Sequence, residues 1–207
     1  MYEEKFMREA IRLAVENVKQ GTGGPFGAVV VKEGKIIAAC ANTVTPDCDP
    51  TAHAEVNAIR EACRKLDTFQ LGGCEIYASC EPCPMCLGAI YWARPSRVYY
   101  ASTKEDAALA GFDDSLIYKE IALPEADRSI PFLNEKEDTA GEEFSLWKEN
   151  NYFKAIGFKL TKAHAKKLLK DQKTLAKNLK SKKGNSYDAW ICVEWTTPYP
   201  KFTMEFD

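Results

Sequence analysis

Two short motifs, His53-Ala54-Glu55 and Pro82-Cys83-Pro84-Met85-Cys86, are separated by 26 residues and constrain the fold more than any other feature. One imidazole and two thiolates are ligands that Zn²⁺ prefers, so a fold that uses them together must bring both motifs to one place. Three protein ligands leave the fourth position of a tetrahedral ion to water, which is typical of catalytic zinc sites. We therefore predict one Zn²⁺ per subunit, held by His53, Cys83 and Cys86, with water or hydroxide as the fourth ligand.

Glu55 stands two residues after the proposed histidine ligand, where it can carry protons without binding the metal. The pattern H-x-E…P-C-x-x-C is a signature of zinc-dependent nucleobase deaminases, in which the glutamate is the general acid and base. Zinc lowers the pKa of bound water from about 15.7 toward 7 and so supplies a nucleophile for a ring carbon that bears an amine. A positioned proton carrier contributes a factor of about 10²–10⁴ in rate. The motifs indicate hydrolytic deamination with Glu55 as a catalytic residue.

Other uses of the C-x-x-C pair stay open at this level. A structural Cys₂His₂ site needs a second histidine, and the only other one in the chain is His164, in a lysine-rich segment. A redox dithiol would leave His53 and Glu55 without a role. Cys80 is an alternative third thiolate, although we favour His53.

The apolar pattern predicts alternating helices and strands over the first hundred residues. We expect helices at 2–20, 52–66 and 84–93, and strands at 26–32, 36–42, 74–79 and 97–102. A fifth strand is expected at Ser129–Phe132, followed by a helix at 135–150 with Phe144 and Trp147 facing inward. This order predicts a three-layer α/β/α fold with a mixed five-stranded sheet.

Charge divides the chain near residue 159. Residues 1–158 carry 17 Lys and Arg against 25 Asp and Glu, whereas residues 159–207 carry 11 against 5. We predict a deaminase domain at 1–158 and a lysine-rich helical and aromatic extension at 159–207. The extension is interpreted as a surface helix that packs Leu168, Leu175 and Leu179 on the domain, or as a poorly ordered segment. Binding of RNA, an acidic membrane or a protein is the alternative. The acidic first part makes nucleic acid an unexpected partner, but the basic extension leaves it open.

Cysteine content and hydropathy predict the compartment. The first ten residues are charged and no apolar run of about 18 residues occurs, so we expect neither a signal peptide nor a membrane span. The chain has eight cysteines, and thiols that serve as metal ligands suit a reducing environment. We predict a cytoplasmic protein.

The residues around both motifs resemble the cytidine/deoxycytidylate deaminase superfamily. The blocks Thr51–Arg60 and Ser79–Ile90 carry that pattern, and within the superfamily the chain is most similar to the bacterial guanine deaminases. The narrower similarity extends from about residue 4 to residue 150 and rests on segments outside the zinc motifs. These segments are Gly23–Gly27, Tyr91–Pro95, Ala110–Ser115, Ile117–Glu120 and Ile130–Phe132.

The resemblance implies a cytidine-deaminase-like fold, a homodimer, and hydrolysis of guanine at C2 to xanthine and ammonia in purine metabolism. Matched residue by residue, it implies that Glu55 and Asp114 move protons and that Phe26 stacks on the base. Asn42, Ala54 and Asp114 are implied to contact the purine, since an amide can read the edge of a base. Guanosine, other aminated purines and adenosine in tRNA are the alternative substrates.

The end of the chain departs from that family. The family's C-terminal segment is implied to exchange between two subunits and to place an aromatic residue over the partner's pocket. Tyr152 and Phe153 stand in the corresponding stretch but not at the family's position, and about 50 residues follow them. Which aromatic residue closes the pocket stays open.

Overall fold

The computed structural model of the chain describes residues 2–155, 161–180, 186–194 and 201–205. The chain divides into two compact units, Met1–Phe132 and Leu133–Asp207. The boundary expected after residue 158 stays a prediction. Several aromatic residues of the C-terminal part of the chain lie outside the described residues, either entirely (Trp195, Tyr199, Phe206) or with their side chains (Tyr152, Phe153, Phe202).

A mixed four-stranded sheet forms the centre of the first unit. Its strands are β1 (Gly27–Lys32), β2 (Lys35–Ala41), β3 (Cys74–Cys80) and β4 (Arg97–Ser102), in the spatial order β2-β1-β3-β4. β1 pairs antiparallel with both β2 and β3, and β3 pairs parallel with β4. The helices are α1 (Glu4–Lys19), α2 (Val44–Asp47), α3 (Ala54–Leu66), α4 (Pro84–Ala93), α5 (Lys104–Leu109) and α6 (Ser115–Ala122).

Helices cover both faces of this sheet. Successive side chains of a strand point to opposite faces, so neighbouring valines of β1 enter different cores. Val29 packs with Phe6 and Ala10 of α1 on one face, whereas Val30 packs with Ala58 of α3 and Ile90 of α4 on the other. The predicted three-layer α/β/α architecture is confirmed.

The predicted fifth strand is wrong, because Ser129–Phe132 forms no strand. Pro131 lacks a backbone N–H and its ring restricts the residue before it, so the segment pairs poorly with a sheet. Ile130 and Phe132 are 71% and 56% exposed, and the Arg128 guanidinium lies 5.0 Å from the centre of the Phe132 ring. The sheet of the first unit therefore has four strands rather than five.

Two further expectations after residue 110 are corrected. Residues 115–122 form α6, which the sequence pattern did not separate from the preceding loop. The helix expected at 135–150 is α7 (Glu142–Ala155). Its Phe144 and Trp147 are 62% and 64% exposed rather than directed inward, because the apolar residues of α7 do not fall on one stripe.

The second unit also contains α8 (Lys162–Asp171) and an antiparallel sheet of β5 (Lys173–Lys180), β6 (Ser186–Glu194) and β7 (Lys201–Glu205) in that order. Leu175 and Leu179 were expected on a helix with Leu168, but they lie on β5. Their spacing of four residues suits a helix, so periodicity alone misled the prediction. Leu168 of α8 packs into a small core on the sheet with Ala176, Leu179, Ala189, Ile191 and Val193.

Gly27 lies where α1 comes closest to the sheet. A Cβ at residue 27 would stand 2.2 Å from the Ala10 carbonyl oxygen and 2.9 Å from the Ala14 amide nitrogen. Because both atoms belong to a packed helix backbone, we expect Gly27→Ala to lower the free energy of unfolding by about 1–3 kcal/mol, measured by urea denaturation. Gly72→Ala, which would meet no atom within 4 Å, is the control and should change it by under about 0.5 kcal/mol. Equal stability of the two variants would contradict this tight contact.

Candidate active site

The two zinc motifs meet where α3 and α4 begin. His53 is the N-cap residue of α3 and Cys83 is the N-cap residue of α4, each with extended backbone angles. Pro84 occupies the start of α4, where its missing N–H is not needed. The free N–H groups at a helix start concentrate partial positive charge, which favours a thiolate over a thiol.

The candidate ligand atoms have the spacing of a tetrahedral zinc site. Nδ1 of His53 lies 3.5 Å from Sγ of Cys83 and 3.5 Å from Sγ of Cys86. Zinc bonds of about 2.3 Å to sulfur and 2.0 Å to nitrogen require an N–S separation of about 3.5 Å in a tetrahedron. Among the described residues, no other three His, Cys, Asp or Glu side chains converge in this way. The three residues therefore fit Zn²⁺.

Cys80 lies close to this group but is engaged elsewhere. Its Sγ donates to the carbonyl oxygen of Thr103 at 3.5 Å. Burial at the end of β3 raises the pKa of Cys80 to about 11, which disfavours the thiolate that a metal requires. The geometry thus favours His53 over Cys80 as the third ligand.

The protonation of Cys83 is coupled to the protonation of Cys86. The hydrogen bond from Cys86 lowers the pKa of Cys83 to about 4, with a further contribution from His53. The same bond raises the pKa of Cys86, and the contact with Cys83 raises the pKa of His53. The arrangement thus favours the thiolate at Cys83 and the thiol at Cys86, whose proton has to leave when a metal binds.

Glu55 is buried beside the ligand group. It is 5% exposed, and its Oε2 lies 3.5 Å from Sγ of Cys86. Burial raises the pKa of Glu55, and the negative charge of Cys83 raises it further. A carboxyl group with a raised pKa takes up a proton more readily than a solvated one, which suits a general acid and base.

A cavity of about 390 Å³ opens beside the candidate ligands. Its size falls in the range of about 300–1,000 Å³ that is common for small-molecule sites. Of the residues predicted from the sequence, Phe26, Asn42 and Asp114 line it together with His53, Glu55 and Cys83. Ala54 is fully buried and is not part of the lining, so any contact from this residue has to come from its backbone.

The side chain of Asn42 is oriented by its neighbours. Its Oδ1 accepts hydrogen bonds from the backbone N–H groups of Gly24 at 3.4 Å and Val44 at 3.2 Å. Asn17, a buried residue of α1, donates from Nδ2 to the carbonyl oxygens of Gly24 and Asn42, each at 2.8 Å. Because backbone donors occupy the Asn42 oxygen, the pocket is left with its NH₂ group as a donor.

The neighbouring acids Asp113 and Asp114 have different tasks. The carboxylate of Asp113 accepts from the backbone N–H and the hydroxyl of Ser115 at 2.9 and 3.1 Å, which fixes the start of α6. Asp114 makes no capping bond with its side chain and lines the pocket. Burial raises the pKa of Asp114, and the charge of Cys83 adds to this effect.

Aromatic rings form one wall of the pocket. Phe26 and Phe112 meet edge to face, with ring centres 5.0 Å apart and an interplanar angle of 86°. Both rings line the cavity. This contact holds the Phe26 ring in place, so that it can support a flat ligand by stacking.

Sequence reasoning missed several residues that build the pocket. Lys104 and Glu81 both line it, and the Lys104 backbone N–H donates to Oε2 of Glu81 at 3.3 Å. Asn57 of α3 donates from Nδ2 to Ala41 O at 3.2 Å, Thr43 Oγ1 at 2.9 Å and Ala52 O at 3.3 Å. An asparagine on the inward side of a predicted amphipathic helix was the available signal, and Asn17 shows it as well.

Comparisons with known proteins agree with this geometry. Residues 1–102 match the family described as the cytidine and deoxycytidylate deaminase zinc-binding region. The chain is 62% identical over 132 residues to guanine deaminase of Bacillus subtilis (strain 168), an alignment that covers 64% of this chain and 85% of that protein. The X-ray structure of guanine deaminase from Bacillus subtilis aligns with a TM-score of 0.70 at 56% identity, over 72% of this chain and 95% of that one. A tRNA-specific adenosine deaminase of Aquifex aeolicus (strain VF5) is 45% identical over 102 residues, which cover 49% of this chain and 67% of that protein.

The ligand assignment predicts how zinc content responds to substitution. We expect Cys86→Ala to lose the ion on dialysis, because a site with two protein ligands binds zinc far more weakly than one with three. Cys80→Ala is the matched control, and it should keep about one zinc per chain. Zinc is measured by mass spectrometry of the purified variants. Loss of zinc in Cys80→Ala, with retention in a His53→Ala variant, would assign the third ligand to Cys80 instead of His53.

Proposed function

The chain belongs to the guanine deaminases of the cytidine and deoxycytidylate deaminase family, and from this premise we infer that it hydrolyses guanine to xanthine and ammonia. The observation that carries this function is the arrangement of the pocket. The zinc-ligand residues and Glu55 lie on one side of a cavity, and residues suited to a purine ring, Phe26, Asn42 and Asp114, also line it. The enzyme uses one Zn²⁺ per chain, and its substrate is a purine base.

His53, Cys83 and Cys86 are the proposed zinc ligands. Their atoms have the required spacing, and a set of three leaves one position for water. When bound, the ion lowers the pKa of a coordinated water so that a nucleophile is available near neutral pH.

Glu55 is the proposed proton carrier. Hydrolysis places the oxygen of water on C2 of guanine and breaks the bond from C2 to the exocyclic nitrogen. One proton of the water ends on the ring nitrogen beside C2, and the other leaves with the amine as ammonia. The raised pKa of Glu55 lets one carboxyl group take up a proton and release it again. Asp114, whose pKa is also raised, is proposed as the second acid that contacts the purine.

Recognition of guanine follows from the donor on Asn42. Guanine presents acceptors at O6 and N7, whereas adenine presents an amine in place of O6. The Asn42 NH₂ group, left facing the pocket by the bonds to its oxygen, suits the acceptors of guanine and meets the adenine amine donor to donor. Phe26 supports the ring by stacking, and the backbone of Ala54 is proposed to complete the contact with the base.

A homodimer is supported by the surface of α4. Tyr91 and Trp92 are adjacent on this helix and are 75% and 81% exposed. Contiguous aromatic surface is uncommon on monomers and marks protein contacts. We place a second copy of the chain against α4.

A cytoplasmic location is supported by the cysteines. All eight are free thiols, and a zinc site built from thiolates is best maintained where thiols stay reduced. Within the described part of the chain, no helix has the length and apolar character needed to cross a bilayer.

We further propose that residues 1–158 carry catalysis and that residues 159–207 have a separate role.

A panel of purines tests the substrate. Purified protein is incubated with guanine, guanosine, adenine and a tRNA that contains the wobble adenosine, and ammonia and the deaminated products are measured. We expect xanthine from guanine, and little product from adenine because its C6 amine opposes the Asn42 donor. Turnover of guanosine or tRNA without turnover of guanine would overturn the assignment.

The role of Glu55 is tested by Glu55→Gln, which keeps the shape of the side chain and removes its proton transfer. We expect kcat for guanine to fall by about 10²–10⁴ while the zinc content is retained. Glu61→Gln, a change on the same helix α3 outside the cavity lining, serves as the control and should keep nearly full activity. A Glu55→Gln enzyme with full activity would remove Glu55 from the mechanism.

The dimer surface predicts the effect of a charge on α4. We expect Trp92→Lys to shift the protein from dimer to monomer, measured by size-exclusion chromatography with light scattering. Phe69→Lys is the control, because Phe69 is 82% exposed and lies outside α4. A dimer that persists in Trp92→Lys would place the interface elsewhere.

A further inference from the structure

The second unit carries a dense run of positive charge. Residues 161–180 contain seven lysines and one acidic residue, Asp171. The side chains of Lys167, Lys170, Lys173 and Lys177 are exposed. No ion pair joins any of these four to a carboxylate in the described part of the chain. This charge is therefore available to a negatively charged partner.

The sheet β5-β6-β7 gives this charge a flat surface. One face carries Thr174, Ala176, Ala189 and Ile191, all buried, and it is closed by Leu168 of α8. Side chains alternate along a strand, so the intervening residues point to the opposite face. Leu175 pairs with Trp190 there, and Lys173 pairs with Cys192. We call these four residues and Lys177 the open face.

Trp190 lies at the centre of the open face between two ammonium groups. Nζ of Lys173 is 5.1 Å from the centre of its ring, and Nζ of Lys167 is 6.0 Å away. An indole ring with cations at this distance combines a surface for stacking with charges for phosphate. The ring is half-buried, which restricts its motion before any ligand binds.

Two acidic residues, Asp188 and Glu205, belong to the same sheet as Trp190. The Asp188 carboxylate accepts from the backbone N–H of Asn178 at 2.8 Å. Glu205 is paired with Trp190 across β6 and β7, but it is hydrogen-bonded to the Cys192 thiol, whose pKa is raised mainly by burial and further by this carboxylate. Both carboxylates are exposed and keep their negative charge, but the seven lysines of residues 161–180 outnumber them.

We propose that the open face binds single-stranded nucleic acid, with a base stacked on Trp190 and the backbone phosphates paired with Lys167, Lys173 and Lys177. A single strand suits the site because its bases are free to stack, whereas those of a duplex are covered. An anionic membrane fits less well, because the apolar residue Leu168 of α8 is buried against the sheet and the open face offers only Leu175 and Trp190 to insert. This role is independent of guanine turnover.

Binding is measured with the full-length protein and fluorescently labelled dT and U oligonucleotides of about 15 nucleotides. Fluorescence anisotropy at several salt concentrations should give saturable binding. If these three lysines contact phosphates, log K should fall with log salt at a slope of about −2. Trp190→Ala should weaken binding about tenfold or more, whereas Trp190→Phe, which keeps an aromatic ring, should retain most of it.

Charge variants separate this site from general attraction. Lys173→Glu combined with Lys177→Glu should abolish binding, and Lys35→Glu, an exposed lysine of β2, should leave it unchanged. Circular dichroism spectra and melting temperatures serve as the folding check for the second unit and should be the same in all variants. The proposal is overturned by absent or non-saturable binding, or by equal loss in the Lys35 control. It is also overturned if phosphatidylglycerol vesicles or polyglutamate bind more tightly than the oligonucleotides with the same dependence on Trp190.

Discussion

The first unit depends on the convergence of three ligand atoms at the starts of two helices. His53 and Cys83 occupy N-cap positions where Ser, Thr, Asp or Asn would stabilise a helix by about 1 kcal/mol through a side-chain bond. Neither residue makes such a bond, so each helix start is less stable than it would be with a capping residue. The sheet compensates by fixing both helices against one core, which contains Ala58 of α3 and Ile90 of α4. The ligand residues are therefore held in place by the packing of α3 and α4 on the sheet rather than by capping bonds at the helix starts.

Two acids share the electrostatic influence of one thiolate. Burial is the main cause of the raised pKa of Glu55 and of Asp114, and the charge of Cys83 adds to both. The state of the metal centre thus affects the proton affinity of each acid at the same time. The acid that stays outside this influence, Asp113, has a lowered pKa because Ser115 donates two hydrogen bonds to it. Asp113 and Asp114 are thus adjacent residues of the same type, and their different hydrogen bonds give them different functions.

The sequence predicted the regular part of the fold and most of the residues that the structure brings together at the candidate site. α1 and α3 follow strong apolar periodicity, and β1 to β4 are short segments rich in apolar residues. α4 begins and ends at the predicted residues although it is apolar on all sides. The failures have local causes. Ser129–Phe132 has the composition of a strand, but Pro131 removes a donor, and the leucine spacing of β5 imitates a helix. The candidate zinc ligands were predictable because few residue types bind zinc. Asn17 and Asn57 gave a weaker signal, an inward-facing amide, because the sequence does not show which carbonyl oxygens that amide reaches.

The side chain of Asn57 connects two parts of the pocket, the segment at Asn42 and the segment at His53. Its amide holds the chain at Ala41, beside Asn42, the proposed purine contact, and at Ala52, beside His53, the proposed zinc ligand. The loop from Ala41 to Ala52 is therefore held at both ends by one side chain, and the distance between its ends is fixed. A redesign of the base-reading loop for another heterocycle has to preserve both anchor carbonyls, or it will displace the imidazole from the metal. Substitutions at Asp114 and Phe112, which lie outside this loop, should consequently change the substrate range more readily.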